Sequence, residues 1–430
     1  MTQQFASLVK MYAKLVGKPN LPVACVPHPI SRVPAQKCRE YIESNDPVTG
    51  MPVIDEIVEA LTKPLTEEEK RSRLEERPVP RFLEPDTEEN LQRYFLENGM
   101  TDYLPVVLPT EERVEEMLKG TSHKPDEVVG DIRSAYEAWS FTVEKVAANA
   151  VMAGAKPEYM PVILAMAASG VAAISTSTQS FTTTIAINGP IRNEIGMNSG
   201  IGAMSPFNQA NAVIGRVATL MSISLGGGRP GDTYWGSQGN PFDYNHATFA
   251  ENEEALPPGW KPFHVQKGFK PEESAVSFFR SYSLWHWKNT YAFEKHKAIL
   301  QMASWVVPTL GKNNMADICG FSLLLDPIVA DDLVREGFPT KESLTQYIYE
   351  NAQLSLEEFW QYHLVENTRR AAQKGVEPHA TRLKQPQDTL INRFKSPDGI
   401  NILVVGGRTN DFWQAGDWSH MGSFSIDDWR

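Results

Sequence analysis

Two loops of this 430-residue chain contain residue types that bind or transform small molecules. The first reads NGPIRNEIGMNSG, residues 188–200, and follows the apolar run FTTTIAI. Its polar groups are amides, a hydroxyl, a glycine backbone and one guanidinium, and they belong to Asn188, Gly189, Arg192, Asn193, Asn198 and Ser199. Such a loop binds and orients a ligand, and the reactive group must come from elsewhere.

A helix is predicted directly after this loop. Ser205 and Pro206 have N-cap and N1 chemistry, so the helix is expected to run from there to the glycines at 226–228. A helix N-terminus carries about half a positive charge. Together with Arg192 it would form a carboxylate or other anion site, with Asn208 and Asn211 facing the ligand. A structural loop, with Gly215 allowing close helix packing, is the equally open alternative.

The second loop, residues 226–265, is long and rich in Gly, Pro and aromatic residues. Loops of this length in a compact domain are usually functional or disordered, and the aromatic content argues against disorder. It contains the acids and imidazoles Asp232, His246, Glu251, Glu253, Glu254 and His264. These groups suit acid–base catalysis or a divalent metal ion, the one cofactor that the sequence suggests.

Glu251, Glu253 and His264 are the candidate catalytic residues of this loop, and the same three are the candidate metal ligands. The spacing contains neither H-E-x-x-H nor H-x-H, so solvated acids remain an alternative, above all for Glu254. His28 is a further catalytic candidate, because it follows the apolar run LPVACV and strand ends are where α/β proteins bind ligands. A structural turn histidine is the other interpretation.

Helices and strands alternate along the chain. We predict strands at 103–109, 181–187, 276–287, 318–326 and 400–407, and helices at 111–120, 142–154, 160–174 and about 341–375, in a sequence without an internal repeat. This order predicts an α/β fold with a mostly buried mixed or parallel sheet flanked by helices. Residues 1–61 form a small α/β piece, 62–100 a charged, Pro-rich helical connector, and 101–430 the large domain.

Composition restricts the function classes. The net charge of −12 disfavours nucleic-acid binding, which needs a basic surface. Three cysteines without C-x-x-C spacing disfavour a disulfide framework or structural zinc. The N-terminus lacks the pattern of a secretory signal, and the longest apolar run is too short to span a bilayer. A cytoplasmic protein with no membrane partner is therefore expected.

Several long motifs resemble a known family. LPVVLPTEERVEEML, TVEKVAANAVMAGAKPEYMPVILAM, INGPIRNEIGMNSG and QANAVIGRV look like the large domain found alongside UGSC-motif proteins, which are bacterial cysteine or selenocysteine proteins. FASLVKMYAKLVGKPNLPVACVPHPI resembles the tail of the UGSC module itself. The Cys- or Sec-containing loop of that module would precede Met1 and is absent from the sequence, and Ala155 stands where the resemblance implies a cysteine.

The resemblance implies a subunit of a heteromeric enzyme. A second protein chain would supply the Cys/Sec module, and a small polar or anionic organic substrate would undergo redox or lyase chemistry at a carbon–heteroatom bond. Two alternatives stay open. One is a self-contained metal-dependent hydrolase or lyase that uses Glu251, Glu253 and His264. The other is a non-catalytic scaffolding or binding subunit.

Overall fold

A computed structural model provides the coordinates of the chain. It describes residues 1–15, 18–30, 33–64, 66, 81–133, 138–171, 174, 178–231, 234–288, 294–310, 320–361 and 365–430.

The helices of the described residues are numbered in chain order. They are α1 Ala6–Leu15, α2 Ala35–Glu43, α3 Val53–Thr62, α4 Glu88–Glu97, α5 Glu111–Leu118, α6 Val143–Ala153, α7 Met160–Ala168, α8 Ile191–Glu194, α9 Gln209–Ser224, α10 Phe263–Gln266, α11 Lys295–Leu310, α12 Pro327–Arg335, α13 Lys341–Asn351, α14 Leu356–Gln361, α15 Val365–Gln373 and α16 His379–Lys384.

The strands are numbered in the same way. They are β1 Val128–Arg133, β2 Ala138–Thr142, β3 Thr182–Asn188, β4 Phe249–Ala250, β5 Ala275–Ser281, β6 Leu284–Lys288, β7 Phe321–Leu325, β8 Gln353–Ser355, β9 Leu390–Asn392, β10 Ile400–Val404, β11 Phe412–Gly416 and β12 Ser419–Ser425. β1 with β2, and β8 with β9, form antiparallel pairs. The remaining strands form two four-stranded mixed sheets.

The two mixed sheets pack face to face. Phe249 and Phe279 of sheet β12-β5-β3-β4 share one buried cluster with Leu324 and Leu403 of sheet β10-β7-β11-β6. The opposite faces carry helices, since side chains alternate across a strand. Ile185 and its neighbours on the first sheet pack with α6, α7 and α9, and strand residues such as Leu323 pack with α11, α12 and α13. The layers are helix, sheet, sheet and helix, which confirms the α/β prediction.

The two sheets repeat one topology. In each, a parallel pair (β3 with β4, β7 with β10) is followed by an antiparallel strand (β5, β11) and then by a second antiparallel neighbour (β12, β6). The last strand of each sheet directly follows a strand of the other sheet along the chain. β6 follows β5 of the first sheet but joins the second, and β12 follows β11 of the second sheet but joins the first. The sequence does not reveal this repeat, since equivalent positions carry different side chains, such as Glu251 after β4 and Val405 after β10.

The exchange occurs at two short connections. Asp417, between β11 and β12, accepts hydrogen bonds from the backbone N–H groups of Tyr282 (3.3 Å) and Ser283 (3.0 Å), between β5 and β6. The indole of the fully buried Trp418 donates to the Ser283 carbonyl at 2.8 Å. This contact explains why the predicted single strand at 276–287 is wrong: the chain turns at 282–283 and enters the other sheet.

Two other element predictions are also wrong. Residues 103–109 form no strand, and their carbonyl and N–H groups bond instead to side chains such as Arg216 and Gln92. The predicted helix at 341–375 is interrupted by β8, which pairs with β9 at 390–392. A capping box is present at the start of α14, where the Ser355 hydroxyl accepts from the Glu358 N–H and the Glu358 carboxylate accepts from the Ser355 N–H.

Helix α3, near the N-terminus, exposes an apolar stripe. Ile54, Val58 and Leu61 are 47%, 52% and 81% exposed and lie at i, i+4 and i+7, which is one face of the helix. The N-terminal segment that precedes α1 contacts the rest of the chain through Phe5, whose ring lies 5.0 Å from that of Trp235. Among the helices of the described segments, none is both long enough and apolar enough to cross a membrane.

The C-terminal residues are held by His123 in a way that should depend on pH. Its Nδ1 lies 2.8 Å from the Glu127 carboxylate and its Nε2 lies 2.9 Å from the Asp428 carbonyl, so only the doubly protonated ring can donate to both. The hydrogen bond to Glu127 raises the pKa of His123. A raised histidine pKa contributes stability below the unfolded value of 6.5, and this stability is lost as the pH rises through the folded value.

We therefore predict that His123→Gln lowers the melting temperature more at a pH of about 5.5 than at about 8.5. The measurement is thermal unfolding of both proteins across that range, followed by hydrogen exchange of the Ile426 and Trp429 amides. A difference between the two proteins that does not change with pH would contradict the assignment.

Candidate functional site

Glu251 connects the edges of the two sheets. It follows β4, an edge strand of the first sheet, and its carboxylate accepts from the Val404 N–H of β10, an edge strand of the second, at 3.2 Å. It also accepts from Asn188 Nδ2 (2.7 Å), the Phe263 N–H (2.6 Å) and Lys341 Nζ (2.6 Å). A carboxylate has about four acceptor positions, and all are in use. Glu251 and Lys341 are both fully buried.

Arg192 binds carboxylates of the protein itself. Its Nη1 and Nη2 atoms hold Glu254 at 3.2 and 3.0 Å, and Nη1 also donates to the Glu251 carbonyl at 2.9 Å. Asn193 Nδ2 reaches the same Glu254 carboxylate at 3.0 Å. Arg192 is only 2% exposed. The two loops therefore meet in the structure, a point that the sequence left open, and internal acids occupy the place expected for a substrate anion.

Glu253 and His264 lie beside this pair. Glu253 accepts from Asn188 Nδ2 (2.9 Å) and from the Gly189 N–H (2.7 Å). Gly189 has φ of +87°, and a Cβ there would lie 2.3 Å from the Glu273 carbonyl, so the turn requires glycine. His264 Nδ1 is 3.7 Å from Glu253, and within the described residues neither ring nitrogen has a hydrogen-bond partner.

These residues do not form the expected metal site. The Glu251 carboxylate is saturated by four protein donors, so it has no lone pair to offer an ion. Across the described residues, no group of three or more His, Cys, Asp or Glu side chains is arranged to hold a metal. The metal-dependent alternative therefore lacks its ligand set at Glu251, Glu253 and His264.

The remaining asparagines of the first loop stabilise the loop itself. Asn211 accepts from the Asn198 N–H and donates to the carbonyls of Asn198 and Ala203, at 2.8–2.9 Å. Asn208 donates to the Gly196 carbonyl and accepts from the Asn211 N–H, so it caps α9 in place of Ser205. The predicted helix start is thus wrong by three residues. The Ser199 carbonyl accepts from the Gly406 N–H at 2.9 Å.

Two histidines lie apart from the acids. His28 is exposed, bonds to Thr2 at 3.1 Å and contacts the Phe5 ring, so the structure does not bring it to the other candidates. His246 is fully buried, contacts the Thr183 carbonyl (2.8 Å) and the Thr219 hydroxyl (3.0 Å), and so links β3 to α9. Burial lowers the pKa of His246 to about 4. Asp232 lies outside the described residues.

A cleft of about 1020 Å³ lies elsewhere, between residues 97–103, α9, residues 228–230 and residues 234–244. Its size is at the upper end of the roughly 300–1,000 Å³ found for small-molecule pockets. Asp243 lines it, with Oδ2 3.4 Å from the Tyr234 hydroxyl. In the described part of the chain, Asp243 Oδ1 is buried without a hydrogen-bond partner. Burial raises the pKa of Asp243, and burial beside Asp243 raises that of Tyr234 to about 12.

One wall of the cleft is clamped to α9. Arg216 holds both oxygens of Asp102, at 2.8 and 3.1 Å, and donates to the Pro105 carbonyl at 2.8 Å. Between these anchors, Tyr103 has φ of +63°, a left-handed conformation that costs a non-glycine residue about 1–2 kcal/mol. Its N–H donates to the Thr101 hydroxyl at 2.9 Å, and its side chain is 74% exposed at the cleft. Strain in a residue that gains little burial is typical of functional sites.

The sequence did not indicate Lys341, Asp243, Tyr234 or Tyr103 as functional residues. Lys341 lies on the same face of α13 as the buried Leu344 and Ile348, at i, i+3 and i+7, but a lysine at the start of a helix is usually solvated, so this spacing did not single it out. Asp243 and Tyr234 lie in the aromatic-rich loop at 226–265, but the residues predicted there to be catalytic, Glu251, Glu253 and His264, lie nearer its C-terminal end. Comparisons of the chain with protein-family models, curated proteins and solved structures found no match. The resemblance to UGSC-associated domains stays a prediction.

The Glu251–Lys341 pair should dominate stability in this region. Removing one partner of a buried ion pair strands the other charge and destabilises by about 3–5 kcal/mol. We predict this loss for Glu251→Gln and for Lys341→Met in denaturant unfolding, and less than the sum for the double variant. Lys37→Met, which breaks the exposed pair with Glu40, is the control and should leave stability unchanged within the error of the measurement. Single variants as stable as the control would refute the role.

Acid should release Glu254 from Arg192. The hydrogen bonds from Arg192 lower the pKa of Glu254 to about 2, so its contribution to stability is present above the unfolded pKa of 4.5 and is lost as the pH falls towards 2. Because the Glu254 side chain is 58% exposed, we predict that Glu254→Gln destabilises by about 1 kcal/mol or less near neutral pH, shrinking to nothing in acid. Urea unfolding at several pH values measures this, and a difference that grows in acid would disprove it.

Proposed function

We propose that the protein is an enzyme that acts on a small polar organic molecule in the cleft, with Asp243 as its proton-transferring group. The observation that carries the proposal is the state of this carboxyl group. It lies in the wall of a large cleft, one of its buried oxygens has no hydrogen-bond partner among the described residues, and burial raises its pKa. Perturbed carboxyls in clefts are typical of acid–base sites.

The proposed chemistry follows from the two groups. A carboxyl whose pKa is raised towards the working pH can both donate and accept a proton, and such transfer contributes about 10²–10⁴-fold to the rate. Tyr234, with a pKa of about 12, keeps its proton and serves as a hydrogen-bond donor to Asp243 or to a substrate oxygen. Arg229 also lines the cleft and adds a positive charge for a polar or anionic substrate.

The proposal moves the chemistry away from the amide loop. Asn188, Gly189, Arg192 and Asn193 are engaged with Glu251, Glu253 and Glu254, and we infer that they hold the ends of the strands together. The heteromeric assembly, the partner chain with a Cys/Sec module and the redox or lyase reaction remain predictions of the family resemblance.

Asp243→Asn should separate activity from stability. The purified protein is incubated with a defined mixture of polar metabolites, and consumption of each component is followed by mass spectrometry. We predict that the rate at which Asp243→Asn consumes a component is lower than that of the wild type by a factor of about 100 or more. Asp398→Asn, an exposed aspartate outside the cleft lining, is the matched control and should retain the rate.

Stability should change in the opposite direction. Because burial raises the pKa of Asp243, its ionisation destabilises the fold as the pH rises through that value. Asp243→Asn should therefore melt at or above the wild-type temperature near pH 7.5, and the difference should narrow in acid. Unchanged consumption by Asp243→Asn, or a melting temperature below that of the wild type, would contradict the proposal.

A further inference from the structure

The cleft has two exposed aromatic rings in its lining. Tyr103 is 74% exposed and Tyr244 is 63% exposed, and both line the cleft that contains Asp243. Two exposed aromatic rings that line one cleft give it an apolar surface that a ligand can cover. Tyr103 is also held in a left-handed conformation by the Arg216–Asp102 clamp. The backbone thus fixes the direction in which the Tyr103 side chain leaves the chain, while the ring itself is mostly exposed.

The polar groups around these rings suit a ligand with many hydroxyls. Asn98, Thr101 and Gln238 line the same cleft, together with Asp243 and Tyr234. Asn98 Nδ2, the Thr101 hydroxyl oxygen and Gln238 Oε1 each make one hydrogen bond within the described part of the protein, which leaves Asn98 Oδ1, the Thr101 O–H and Gln238 Nε2 for a ligand. Side chains of this kind both donate and accept hydrogen bonds, as a hydroxyl group does. A sugar ring has an apolar C–H face that stacks on an aromatic ring and an edge of hydroxyls that bonds to amides and carboxylates.

From this combination we propose that the cleft binds a carbohydrate, a ring-shaped polyhydroxylated ligand that stacks on Tyr103 and Tyr244. The inference rests on the proposed function and names the substrate class for it. The ring faces recognise the sugar face, and Asp243 and Tyr234 bind or protonate an oxygen at its edge. The volume of about 1020 Å³ accommodates more than one sugar ring, so an oligosaccharide fits better than a monosaccharide.

A glycan array tests the inference. The wild type is compared with Tyr103→Asn, which removes the ring but keeps a residue that tolerates the left-handed conformation, and with Tyr103→Phe, which keeps the ring. We expect the wild type and Tyr103→Phe to bind the same glycans and Tyr103→Asn to lose at least tenfold in affinity, with a melting temperature no lower than that of the wild type. Tyr244→Ala and Tyr244→Phe should differ in the same way.

Other results would overturn the inference. A wild type that binds no glycan above the level of Tyr103→Asn would do so, as would glycan binding that both ring-removing variants retain. Adenosine and uridine are titrated in parallel by calorimetry. If they bind through the tyrosines and glycans do not, the ligand is a planar heterocycle and the carbohydrate proposal fails.

The two proposals can fail separately. If glycans bind through Tyr103 and Tyr244 but no bound glycan or mixture component is consumed in an Asp243-dependent reaction, the enzyme proposal fails and the binding inference stands. If Asp243→Asn abolishes consumption of a substrate without a sugar ring, and the tyrosine variants leave its KM unchanged, the binding inference fails and the enzyme proposal stands.

Discussion

The fold depends on one buried charge. Glu251 lies where the edge strands β4 and β10 of the two sheets meet, and its carboxylate is bound by Asn188, Phe263, Lys341 and Val404. A carboxylate removed from water is tolerated only when donors and a counter-charge satisfy it. Each partner is therefore fixed relative to the others, and these partners come from β3, α10, α13 and β10. The backbone N–H of Asn252, the residue after Glu251, also donates to β10, at the Val404 carbonyl.

The hydrogen bonds around Glu251 distinguish the glutamates at the end of the long loop from Asp243, which belongs to the same loop and lines the cleft. Glu251, Glu253 and Glu254 are occupied by Lys341, Asn188, Gly189 and Arg192, so their charges are balanced within the fold. Asp243 has the opposite properties: it lacks a cationic partner among the described residues, and burial raises its pKa. We infer that the stabilised acids serve structure and that Asp243 is the proton-transferring group, because proton transfer needs a group whose two protonation states are close in energy.

The sequence predicted much of the secondary structure and part of the site. Periodicity and caps located α5, α6 and β3, and residue types singled out the amide loop and the loop that contains Glu251–Glu254. Whether these two loops meet was left open by the sequence. The sequence could not show that Lys341 is buried, that Arg192 binds Glu254, or that residues 276–287 divide between two sheets. These facts depend on contacts between residues as far apart as 251 and 341, which no local pattern encodes.

Hydrogen exchange of the Phe263 and Val404 amides tests the central claim most directly, because both donate to Glu251. If Glu251 is part of the structural core, these amides should exchange only through global unfolding, with an opening free energy equal to that from denaturant unfolding. Exchange through a local opening of much lower free energy would contradict the account. It would mean that the Glu251 carboxylate becomes accessible to a ligand in the folded protein.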